Sequence, residues 1–239
     1  MKGIFGLLAM LYLLAGPMVQ LRAENAEPSL EDHREIFEQR FTKFLNCFKF
    51  AEAKLQNPAA QGCSENEQTA NVVSLGEFSR EFPSSRFSDD AAYLENQILF
   101  IAAPSHDRIE KFDSFVQQHP GAKLEDYTAQ QLLGSQSSLA YLACMSYPEA
   151  VHLMRGNLAF DENDYKTAIG ELSSIKDKVD YGRDPTRQLE KMVYLPLVIA
   201  YGKLGQGDER KAILREAAGK FPDNATFAKL LQKALTGSQ

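Results

Sequence analysis

Histidine is the first residue type to test for chemistry, because imidazole serves both proton transfer and metal binding near neutral pH. The chain holds His33, His106, His119 and His152. None belongs to H-E-x-x-H or to another zinc-ligand spacing. His33 lies in Glu31-Asp32-His33-Arg34-Glu35, which reads as a solvated helix start, and His106 lies in a turn after Pro104. Gly134-Ser135-Gln136-Ser137-Ser138 is one glycine short of a nucleophile elbow, with Ser138 where the last glycine is needed and no strand ahead of it. Gly205-Gln206-Gly207-Asp208 has no leading strand and no following Lys-Ser/Thr, so it is a helix-joining turn and no phosphate loop. The Asp and Glu residues are scattered on helix faces, and no pair stands out as acid and base. The sequence therefore predicts no catalytic, metal or cofactor site.

Cysteine offers a different chemistry. Cys47 and Cys63 are 16 residues apart across the turn-rich Asn57-Pro58-Ala59-Ala60-Gln61-Gly62, and Cys144 sits in the apolar run Leu139–Met145. With no C-x-x-C, neither a zinc knuckle nor a thioredoxin-type motif is supported. A Cys47–Cys63 disulfide is a candidate, contributing about 3 kcal/mol in the chain-entropy model, while Cys144 reads as a small buried thiol. The N-terminus bears on the redox compartment. Lys2 precedes an uncharged stretch from Gly3 to Val19, and small residues approach Ala23. This is the layout of an export signal over 1–23 cleaved after Ala23. An uncleaved anchor over 4–21 is the alternative, since the run approaches the ~20 residues that span a bilayer. Leu14-Ala15-Gly16 is followed by Pro17 where a lipoprotein needs cysteine, so no lipoprotein is expected.

The elements that must position these residues are helical. The 239 residues include 26 Lys plus Arg against 32 Asp plus Glu, a net charge of −6. An acidic chain without a clustered basic surface makes nucleic acid an unsuitable partner. Over 31–56, Ile36, Phe37, Phe41, Phe44, Leu45, Phe48 and Ala51 recur at three and four, the stripe of an amphipathic helix. This Phe-rich helix is expected either to cap the array or to offer a dimerising face. Turn groups at 57–64, 83–85, 103–107, 119–123, 161–164, 180–185, 205–208 and 221–224 divide the rest into helices of about 10–18 residues.

Three of those helices end alike: Phe78 to Phe82-Pro83, Phe115 to His119-Pro120, and Ala217 to Phe221-Pro222. Each puts a core residue four before a ring, then proline, which stops the helix. Pro83 to Pro120 is 37 residues and Pro120 to Pro222 is 102, three times 34. A 34-residue period with a terminal proline resembles the tetratricopeptide repeat. Tyr194, Leu197, Tyr201, Gly205, Leu214 and Ala217 fall on its positions, as do Gly156, Tyr165, Ala168, Leu172 and Ile175; Arg210 stands where a small residue is usual. Tyr93 and Phe100 repeat the spacing of Tyr194 and Tyr201, which supports a further unit at 86–119. The joint Phe82-Pro83-Ser84-Ser85-Arg86-Phe87-Ser88-Asp89-Asp90-Ala91-Ala92-Tyr93 is similar to those of bacterial envelope proteins of this family, of the β-barrel-assembly lipoprotein or Tol–Pal coordinator type.

The resemblance implies an all-α, right-handed solenoid of antiparallel helix pairs. Its divisions are 1–23, 24–65 (helix and loop), 66–147 (degenerate units) and 148–239 (two better-matched units and a capping helix). It also implies a non-catalytic periplasmic adaptor for other envelope proteins, in outer-membrane assembly or in coordinating the envelope with division. Repeat numbering puts Leu153, Asn157, Phe160, Met192, Leu195, Ile199 and Lys203 on the concave wall that would take a peptide. An anchored ancillary factor of the secretion and chaperone network is the second expectation, and a glycan-active envelope enzyme the third.

Overall fold

The computed structural model describes residues 30–56, 63–134 and 139–236. Their elements are α1 (Leu30–Gln56), α2 (Glu65–Glu81), α3 (Ser88–Ala102), α4 (His106–Gln118), a π-helical turn (Thr128–Leu133), a 3-10 turn (Ala140–Cys144), α5 (Tyr147–Asp161), α6 (Tyr165–Ile175), a second 3-10 turn (Tyr181–Arg183), α7 (Gln188–Lys203), α8 (Gly207–Lys220) and α9 (Ala225–Thr236). Among the described residues the protein is all-α, without a strand. The export segment 1–23, the connector 57–62 and Ser135–Ser138 lie outside them.

Local chemistry sets the helix starts. Ser64 and Glu67 form a reciprocal cap on α2, and Ser146 with Glu149 does the same for α5, whose first turn also takes Pro148. Ser105 caps α4 and Asp164 caps α6. The three proline joints share one backbone geometry. Phe82, His119 and Phe221 have φ/ψ of −125/59°, −125/57° and −126/66°. Each carbonyl then accepts the amide three residues on, from Ser85, Ala122 and Asn224 at 3.0, 3.1 and 2.9 Å. The residue before a proline is pushed out of the α region, so a ring followed by proline at the end of a helix yields the same turn each time.

The spacing between joints departs from the sequence expectation. The 102 residues from Pro120 to Pro222 hold two helix pairs, α5–α6 and α7–α8. The remainder is two long connectors, 119–146 and 176–187. The first contains no helix pair: it winds into a π-turn and a 3-10 turn whose Leu133, Leu139, Tyr141 and Leu142 are buried. Apolar residues too closely crowded for one amphipathic stripe are buried there by irregular winding. The second lacks a Phe-Pro stop, so α6 runs out through Lys176 in helical geometry and the chain turns at Arg187, φ 55°.

Each helix packs on its successor from α1 to α9, with the α5–α7 contact added and with the connector seated on α1. Phe37 stacks on Phe87 at 5.1 Å and meets Phe78 at 5.3 Å, with Phe41 and Phe44 buried beside them. Phe37, Phe41 and Phe44 are thus buried within the chain, so these three rings are not exposed as a dimerising surface. The α1–α2 hairpin is closed by the Cys47–Cys63 disulfide, Cα–Cα 5.2 Å. His33 is half-buried against Phe82, ring centroids 4.6 Å apart, where the sequence suggested solvent.

The second half also brings helices close together. A Cβ on Gly156 would sit 2.6 Å from Leu172 Cγ, so α5 and α6 meet over a bare backbone. Arg210, the departure from the repeat pattern, is accommodated by Gly202, whose missing Cβ would lie 3.4 Å from Arg210 Cδ. Tyr194, Phe221, Phe227 and Tyr181 form a ring cluster with centroid separations of 5.1–6.1 Å that closes α7, α8 and α9 together.

Candidate functional site

Neighbours account for most of the surface of α5. Gly156 and His152 face α6, the latter through a 2.5 Å contact from Nδ1 to Glu171. Arg155 reaches Asp113 of α4 at 2.8 Å, while Met154 takes the Gln97 amide of α3 and Tyr147 stacks on Tyr93. The arc left over carries Leu153, Asn157 and Phe160. Leu153 is only 3% exposed, so it belongs to the core and is no accessible wall residue. Helical spacing alone does not separate the rim of a stripe from its centre. Asn157 is half-buried, and its amide donates to the Leu153 carbonyl at 2.9 Å. Phe160 is half-buried edge-on to Tyr165, 5.9 Å between centroids.

Helix α7 carries the more open strip. Val193, Tyr194, Leu197 and Val198 are buried, and Tyr194 donates to Glu216 of α8 at 2.7 Å. Met192 and Leu195 are half-buried on the outer side of the core, Ile199 is 44% exposed, and Lys203 is exposed one turn further on. Ile199 is therefore no core residue, against the simplest reading of its spacing. Because α5 and α7 touch, the two strips lie on adjacent helices. Pro196, buried in mid-helix, has no N–H to offer the Met192 carbonyl.

A second feature is a buried polar node that sequence reasoning missed. Asp90, in the first turn of α3, is 1% exposed. Its carboxylate accepts from the Thr128 hydroxyl, from the Tyr147 hydroxyl at 3.1 Å and from the Glu125 amide at 3.2 Å. Burial outweighs these donors and pushes its pKa up to about 6. The node ties α3 to α5 and holds the connector whose Tyr127 hydroxyl donates to Glu38 of α1. Only the Asp-Asp pair at a helix start hinted at it, and such pairs are ordinary there.

The histidines act as ties between helices. His106 Nε2 lies 3.0 Å from Glu162, and His119 Nδ1 lies 2.8 Å from Asp89 while its ring packs on Phe115. Cys144 is buried, its thiol pushed up to about 12 by desolvation and by Asp184 and Asp180. Asn224, part of a glycosylation-like triplet, gives its amide to Glu190 at 2.8 Å. Among the described residues no group of three or more His, Cys, Asp or Glu is placed to hold a metal ion, and no helix is long and apolar enough to cross a membrane.

No family model, curated protein or solved structure matches the chain. The two strips, on α5 and α7, are the candidate binding surface.

Proposed function

We propose that this chain is a non-catalytic periplasmic adaptor built as a tetratricopeptide-type, right-handed solenoid, which binds a segment of another envelope protein along α5 and α7. The observation that carries the reading is the half-exposed apolar strip Met192-Leu195-Ile199 on a helix otherwise buried in the array. Three kinds of support stand beside it. The proline joints repeat one backbone geometry. Helix α5 touches both its hairpin partner α6 and the first helix of the next pair, α7, as stacked helix pairs do. The charge and hydropathy layout of 1–23 fits export. Outer-membrane assembly and the coupling of the envelope to division are the settings that the resemblance favours.

The test is site-specific photocross-linking in the native envelope, with a benzophenone side chain at position 199 and, separately, at exposed Gln117 on α4. Discrete adducts of envelope proteins from position 199 and none from 117 support the adaptor. Equal, diffuse labelling at both positions, or none at either, overturns it.

A further inference from the structure

The charges bordering the α7 strip narrow the class of partner. Helix α7 carries one carboxylate, Glu190, which is buried and held by Asn224 at 2.8 Å and by Arg187 at 3.7 Å. Its two ammonium groups, on Lys191 and Lys203, are exposed and make no ion pair with any described residue. They lie near opposite ends of the helix, with Met192, Leu195 and Ile199 between them. The acids that follow Lys203, Asp208 and Glu209, stand beyond the strip in the first turn of α8. A protein with a net charge of −6 thus shows, along this strip, apolar side chains bordered by unneutralised cations. Desolvating that surface against a neutral or basic segment would leave both ammonium groups without a counter-charge, whereas carboxylates placed outside the apolar contacts would supply it.

We infer that the segment bound along α7 is an acidic amphipathic peptide, with apolar side chains on the Met192-Leu195-Ile199 strip and carboxylates meeting Lys191 and Lys203. This rests on the adaptor reading above and names the chemistry of its partner.

The test pans a displayed library of random 16-residue peptides on the purified chain, with depletion on the Ile199→Asp variant. Both Ile199 and the lysines are solvent-facing, and matched circular dichroism and melting curves will establish that the variants are folded. The expected pool is net acidic, with apolar residues at helical or alternate spacing. Its binding falls roughly tenfold on the Lys191→Glu/Lys203→Glu double variant, the size of two exposed ion pairs, and weakens with added salt. A pool that depends on Ile199 but is neutral or basic, or is indifferent to the double variant, overturns the acidic-partner inference and leaves the groove standing. A pool that does not distinguish the chain from Ile199→Asp overturns the groove itself, and the inference with it.

Discussion

The two ends of this array are held together by different means. From α1 to α4 the fold relies on a covalent staple, a nest of phenylalanines and a buried carboxylate that draws donors from two other elements. From α5 to α9 it relies on backbone proximity over Gly156 and on rings packed around Tyr194. The difference follows from the joints. Where a long irregular connector interrupts the stacking, polar and covalent ties hold the pieces in register. Where pairs follow one another closely, apolar contact carries more of the packing, with ties such as Tyr194 to Glu216 added at the edges. The proposed binding strip belongs to the second region, on α7, whose Val193, Tyr194, Leu197 and Val198 are anchored in the core.

Breaking each region by its own device should sharpen this contrast. The largest effect is expected from Leu172→Ala, which empties the space over Gly156. Urea unfolding should show a loss of about 2–5 kcal/mol. Hydrogen exchange should place the damage in α5 and α6. Reduction of Cys47–Cys63, or Cys47→Ser with Cys63→Ser, should remove about 3 kcal/mol and raise exchange in α1 and α2 while α5–α8 stay protected. If α5–α8 open equally, the two regions are one cooperative unit and the comparison fails.

Asp90 gives a pH signature confined to the first region. Its carboxyl has a pKa of about 6 in the fold against an ordinary aspartate value of 3.8, so the native state holds the proton more tightly than the unfolded chain. That contribution is fully present below pH 3.8 and is lost as pH rises through 6. Stability should therefore gain about 1–3 kcal/mol on going from pH 7 to 4 from this group. Asp90→Asn should abolish that slope in pH-dependent denaturation, and an unchanged slope would assign the titration elsewhere. Gly156→Ala should cost about 1 kcal/mol, since overpacking against Leu172 exceeds what alanine returns in helix propensity. Ile199→Asp should move the unfolding midpoint least, by under about 0.5 kcal/mol, because the side chain already meets water.

How much of this was legible beforehand depends on whether a feature is local. The helical content, the turns at 83–85, 161–164 and 221–224 and the three joints are written in short strings such as Phe82-Pro83, and they fold as read. The 34-residue arithmetic failed because connector insertions happened to add up to a multiple of the period. On the candidate wall, Leu153 and Ile199 have the same spacing signal and opposite exposure, a difference set by which neighbouring helix covers each. The Asp90 node joins residues 90, 125, 128 and 147, and the His106–Glu162 tie spans 56 positions. No periodicity connects such partners; only the packed chain does.

The staple also has a mechanical side. Tension applied at the two ends of the folded chain is carried past the Cys47–Cys63 bond without entering the 16-residue loop it closes. With the bond intact, roughly 55 Å of contour, at about 3.5 Å per residue, stays hidden from the load. Reduction turns that length into slack, so the oxidised and thiol forms should differ in how far the chain extends when drawn out.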